Sequence, residues 1–98
     1  MNSEAILARL KDNEAALRAR GVTHAALFGS RARGDDRPGS DIDILIDTAP
    51  DALQDIYAYV ALKTYIASLF KEPVDVIERG FLKPFVQPPA ESEAVYAF

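Results

Sequence analysis

Apolar residues recur at helical spacing through the first twenty positions and then give way to a short run of strand character. Ile6, Leu7, Leu10 and Leu17 fall on one stripe between residues 3 and 20, among alanines and charges, which predicts an amphipathic helix. Asn2 or Ser3 can cap its start, and Gly21 is placed to end it in a left-handed conformation. Residues 22–28 read as a buried strand. Gly29-Ser30 forms a turn, residues 31–34 a single helical turn, and residues 35–40 a polar loop marked by Pro38-Gly39.

The next run, residues 41–46, alternates. Ile42, Ile44 and Ile46 point to one face of a strand, and Asp41, Asp43 and Leu45 to the other. Thr48 can cap a following helix, with Pro50 in its first turn and Asp51 three residues after the cap. That helix is expected to reach about Phe70 on a stripe of Leu53, Ile56, Tyr57, Val60, Thr64, Ala67 and Phe70 or Leu69. Glu72-Pro73 breaks it, and residues 74–77 form a third strand with Asp75 opposite in direction to Val74 and Val76. Residues 81–85 suggest a short helix, and Gln87-Pro88-Pro89 stops it. The expected fold class is α/β (α+β), with one small mixed sheet flanked by helices.

Size and charge narrow the chemistry. The chain has 98 residues, enough for one domain with a modest core. It has no cysteine and one histidine, which excludes thiolate sites, disulfides and a His-rich zinc site. No apolar run approaches the ~20 residues of a membrane span. The start, Met1-Asn2-Ser3-Glu4, lacks the layout of a signal peptide, so a cytoplasmic protein is expected. A net charge of -4 argues against a long nucleic acid as partner. The basic residues of interest are local, Arg31, Arg33 and Arg37, a pattern that suits a small triphosphate.

The candidate chemistry lies in three segments. Alternate strand residues share a face at roughly 7 Å, so Asp41 and Asp43 aim two carboxylates at one point. Asp75, from a neighbouring strand, can complete a set able to hold two Mg²⁺ ions about 3.5–4 Å apart for an in-line phosphoryl displacement. The Gly29-Ser30 turn lets backbone amides and the Ser30 hydroxyl approach phosphate oxygens. Arg33 can stabilise charge on leaving pyrophosphate. Taken singly, Asp-x-Asp is usually a solvated strand end, Gly-Ser a plain turn, and a strand Asp an edge residue. Their conjunction favours the metal-dependent reading. Other residues take plainer roles: His24 as a packed or edge histidine, Tyr57, Tyr59 and Tyr65 as core and rim with Tyr59 off the apolar stripe, Asp35 and Asp36 as loop caps, and Asp47 as part of the helix cap region.

Phe28-Gly29-Ser30-Arg31-Ala32-Arg33-Gly34-Asp35, with Ser40-Asp41-Ile42-Asp43-Ile44-Leu45-Ile46, resembles the signature of the DNA polymerase β-like nucleotidyltransferase superfamily. The short length, the segment Pro73-Val74-Asp75-Val76-Ile77 and the ending Glu93-Ala94-Val95-Tyr96-Ala97-Phe98 resemble its minimal branch, the MNT proteins paired with HEPN-domain partners. The resemblance implies the polymerase β-like fold over residues 1–98. It implies Gly29, Ser30, Arg33 and Ser40 at the nucleotide phosphates, and Asp41, Asp43 and Asp75 as metal-binding catalytic carboxylates. It further implies Mg²⁺ and ATP, transfer of AMP to a tyrosine of a HEPN toxin, and an antitoxin role in a hetero-oligomer. The alternatives are a non-catalytic antitoxin that acts by binding and, further off, a small-molecule nucleotidyltransferase. Residues 87–98 form a tail expected to dock on the partner, although Gln87-Pro88-Pro89 interrupts the helix that the family pattern would place there.

Overall fold

The computed structural model describes residues 2–29, 41–52, 55–79 and 94–98. The N-terminal segment forms two helices, α1 (Ser3–Asp12) and α2 (Glu14–Ala19), instead of one continuous helix. The Asn2 side chain accepts from the Ala5 amide at 2.8 Å, giving α1 its cap. The break falls at Asn13, whose amide side chain donates to the Arg9 carbonyl at 2.8 Å. Asparagine offers the backbone such local alternatives, which is why it punctuates helices. Gly21 ends α2 at φ 98°, within the left-handed region that glycine enters without steric cost.

Strand β1 (Val22–Phe28) runs antiparallel to β2 (Ile42–Thr48), and β2 runs parallel to β3 (Val74–Glu78). Helix α3 (Ile56–Ser68) provides the crossover between those parallel strands. A two-residue strand β4 (Val95–Tyr96) pairs antiparallel with β1, giving the sheet order β3-β2-β1-β4. Residues 94–98, expected as part of a docking tail, therefore border the sheet, with the Ala97 amide donating to the Ala25 carbonyl at 2.8 Å. Residues 87–93, and the helix expected at 81–85, lie outside the described residues.

A register shift between Val22 and His24 sorts the side chains of β1. Such a bulge moves later residues to the other face. Val22, Ala25 and Leu27 join Ile42, Ile44, Ile46 and Val76 in the helix-covered core, together with Ile6, Leu10 and Leu17. His24 is left exposed, opposite Asp47.

Helix α3 departs from its expected bounds and face. It begins at Ile56, capped by the Asp55 carboxylate, which accepts from the Ala58 amide at 2.8 Å. Thr48 is the last residue of β2, so it is not the cap. Leu62 and Ile66 are buried, with Tyr65 and Leu69 packed beside them, whereas Ile56, Tyr57 and Val60 face solvent at 68%, 81% and 53% exposure. The helix carries apolar residues around most of its girth, so spacing alone admitted two stripes, and contact with the sheet selected the second. Leu53 lies outside the described residues.

Candidate active site

The sheet has one face covered by helices and a second face on which β2 presents Asp43, Leu45 and Asp47 in alternation. Asp43 is in direct register with Asp75 on β3 and with Phe28, the last residue of β1. Neighbouring strands lie about 4.8 Å apart and register partners share a face, so two carboxylates stand side by side at one end of the sheet. Asp43 is half-buried and Asp75 is exposed.

Gly29 completes this corner. It leaves β1 at φ 76°, and a Cβ placed on it would lie 2.4 Å from Asp43 Oδ2. Glycine is required here twice over, by the left-handed backbone and by the carboxylate packed against it. Asp41 sits just upstream of β2 and is exposed. The Ile42 amide donates to the Pro73 carbonyl at 2.9 Å, anchoring the start of β2 beside the segment that leads to Asp75.

Thus the fold brings Gly29, Asp43 and Asp75 to one corner, with Asp41 at its margin. Among the described residues, no group of three or more His, Asp or Glu side chains is gathered closely enough to hold a metal ion. Mutual repulsion of like charges opposes such closure. Ser30, Arg33 and Ser40, and likewise Arg31, Arg37, Asp35 and Asp36, lie outside the described residues.

Tyr59 borders the site from α3. Its hydroxyl reaches the Val76 carbonyl of edge strand β3 at 3.5 Å. Burial raises its pKa above the usual 10.0, and the Glu78 and Asp75 carboxylates push the same way against a backbone hydrogen bond at Glu78. The ring therefore belongs to the rim.

A second feature of this face has no counterpart in the expectations from the sequence. Arg79 Nε donates to Asp47 Oδ1 at 2.7 Å, and its Nη2 donates to the Tyr96 hydroxyl. The Tyr96 ring meets the His24 ring edge-on, with centroids 6.1 Å apart. Asp47 thus serves an ion pair across the end of the sheet and does not cap α3. Its alternation with Asp43 on β2 was the signal in the sequence. Arg79 itself offered none, because its partners come from β2 and β4.

Comparison with known proteins adds four findings. A family model described as nucleotidyltransferase domain matches residues 6–97. The protein adenylyltransferase MntA of Thermococcus cleftensis is 31% identical over 76 residues, covering 78% of this chain and 75% of its own length. A solved chain assigned as a minimal nucleotidyltransferase superposes with a TM-score of 0.80 at 26% identity, covering 97% of this chain and 95% of that one. A complex of the tri-AMPylated HEPN toxin of Shewanella oneidensis with its MNT antitoxin includes a chain of the same fold, with a TM-score of 0.63 at 22% identity, covering 90% of this chain and 68% of that one. Among the described residues, no helix is long and apolar enough to cross a membrane.

Proposed function

Because the chain belongs to the nucleotidyltransferase domain family, we propose that it transfers AMP from ATP to a tyrosine of a HEPN-type toxin and serves as that toxin's antitoxin. The observation that carries this reading is the register of Asp43 with Asp75 beside Gly29. Support also comes from the relative named protein adenylyltransferase MntA and from the fold shared with a chain of the complex between an AMPylated HEPN toxin and its MNT antitoxin.

In this reading the acceptor's phenolic oxygen attacks the α-phosphorus of ATP. A new oxygen–phosphorus bond forms, the bond from that phosphorus to the β-bridging oxygen breaks, and pyrophosphate leaves. Asp75, the exposed member of the pair, takes the phenolic proton. Gly29 gives the backbone close access to the phosphates, and Ser30, Arg33 and Ser40 are assigned to the same phosphates on the family resemblance. The donors at the corner are all carboxylate oxygens, the ligand type that hard divalent cations prefer, so Asp41, Asp43 and Asp75 suit Mg²⁺, two ions in this reading. When bound, such ions polarise the transferring phosphate and neutralise charge that develops on the leaving group.

Incubation with Mg²⁺, labelled ATP and a HEPN-type toxin partner tests the reading. Label is expected on a toxin tyrosine, and Asp43→Asn is expected to abolish it. Unchanged labelling by that variant would sink the proposal.

A second reading, neutralisation by binding alone, draws on the exposed apolar strip of Ile56, Tyr57 and Val60 on α3. Such strips often mark protein contacts. It predicts that Asp43→Asn still silences the toxin, whereas Tyr57→Ser with Val60→Ser does not.

A further inference from the structure

Among the described residues, strand β3 forms one edge of the sheet, with β2 on its inner side. The Pro73 carbonyl accepts from the Ile42 amide at 2.9 Å and so faces β2. Backbone polar groups alternate along a strand. Those of Asp75 and Ile77 therefore face β2 as well, and those of Val74, Val76 and Glu78 face outward. The outward groups of an edge strand lack the ladder partners that inner strands have.

Tyr59 supplies a partner from α3. It lies one and two turns before Leu62 and Ile66, the buried positions of that helix, so its ring extends the stripe packed on the sheet. Its hydroxyl donates to the Val76 carbonyl at 3.5 Å. The Glu78 amide donates to the same oxygen, a contact that draws the phenol's pKa down against the effect of burial. One hydroxyl thus meets a carbonyl and the amide two residues on, the pair of groups that a residue of a further parallel strand would meet. The Lys63 ammonium stands over the ring, 5.3 Å from its centroid.

The contact matters because of what β3 carries. Asp43 and Asp75 are in register on β2 and β3, and like charges directly opposite repel. That repulsion acts to part β3 from β2, and parallel pairing resists it less well than antiparallel pairing does. Val76 follows Asp75 directly in the chain, so Tyr59 grips β3 from outside within one residue of the carboxylate.

We infer that Tyr59 is a positioning residue: by holding the outer edge of β3 at Val76 and Glu78, it keeps Asp75 beside Asp43 for the transfer step. The inference rests on the nucleotidyltransferase reading and adds what fixes the proposed base. Tyr59 acts from the helix-covered face that buries Val76, whereas Asp75 projects from the other, so the phenol stays away from the reacting atoms.

The test uses the full chain with Mg²⁺, ATP and a HEPN-type toxin partner. Tyr59→Phe keeps the ring and removes the hydroxyl. It is expected to lower kcat about tenfold at unchanged KM for ATP. It is also expected to speed hydrogen exchange at the Glu78 amide about fivefold, with exchange on β1 unchanged. In an Asp75→Asn background, with the residual transfer as baseline, Tyr59→Phe is expected to cause no further loss, because its effect passes through that carboxylate. The same loss repeated in that background, or an unchanged kcat in the first, overturns the inference and leaves the proposed function standing. Absence of transfer by the unsubstituted chain removes both. Should Tyr59→Phe fail to fold, hydrogen exchange in the unsubstituted chain decides. A protected Glu78 amide supports the inference, and one that exchanges as fast as a free peptide overturns it.

Discussion

Gly29 and Asp43 occupy a space that holds only one side chain: a Cβ on the glycine would stand 2.4 Å from the aspartate's Oδ2. The turn and the carboxylate are therefore one unit, built by the pairing of Phe28 with Asp43 at the end of β1 and β2. Gly29→Ala is expected to lose about 1–2 kcal/mol of stability from the left-handed backbone and to push the carboxylate aside. Nucleotidyl transfer should fall at least tenfold, further than the stability loss explains. Urea denaturation and a label-transfer assay on the same preparation check both halves.

Asp75→Asn separates charge repulsion from function. Like charges directly opposite on adjacent strands are destabilising, so removing one charge of the Asp43–Asp75 pair should raise stability by about 0.5 kcal/mol at low salt. The same change should weaken Mg²⁺ binding and cut transfer by a hundredfold or more. Calorimetric titration with Mg²⁺ and the midpoint of urea unfolding should move in opposite directions. A loss of stability would mean that the two carboxylates are not set against each other.

The strands were legible because their signals are local. Alternation in 41–46 and 74–77 placed Asp43 and Asp75 on strands, and β1 has its expected bounds. The pairing that sets those two residues side by side is non-local, and here the family resemblance did what periodicity cannot. Asn13 broke the first helix because a side-chain hydrogen bond competes with the backbone, a choice invisible to apolar spacing. The orientation of α3 was not legible because two apolar stripes satisfy its period. The cluster of Asp47, Arg79, Tyr96 and His24 was hidden for a different reason: its members come from three strands and the end of β3, and only the sheet order joins them.

The face of α3 can be tested by two substitutions two residues apart. Leu62 is 2% exposed, and Leu62→Ala should cost about 2–5 kcal/mol through lost burial and a residual cavity. Val60 is 53% exposed, and Val60→Ala should stay within about 0.5 kcal/mol. Thermal melts followed by circular dichroism distinguish them. The opposite ranking would restore the stripe of Ile56, Tyr57 and Val60 to the core.

Stability should also depend on pH at its two extremes, through groups with shifts of opposite sign. Hydrogen bonds from Lys11, at 2.6 Å, and Arg18, at 2.7 Å, hold the Glu14 carboxyl below its usual 4.5. Its contribution is present above the unfolded value and is lost as pH falls from about 4.5 through the lower folded value. Glu14→Gln should flatten that part of the acid limb, and high salt should shrink the difference because its partners Lys11 and Arg18 are exposed. Tyr59 behaves in the reverse sense. Burial raises its pKa above 10.0, so the unfolded chain ionises first and stability declines as pH rises from 10.0 through the folded value. Tyr59→Phe should remove that alkaline decline while leaving the acid limb unchanged. Urea midpoints measured across both pH ranges check the two signs independently, and a Tyr59→Phe variant that steepens the alkaline decline would place the hydroxyl in water, away from β3.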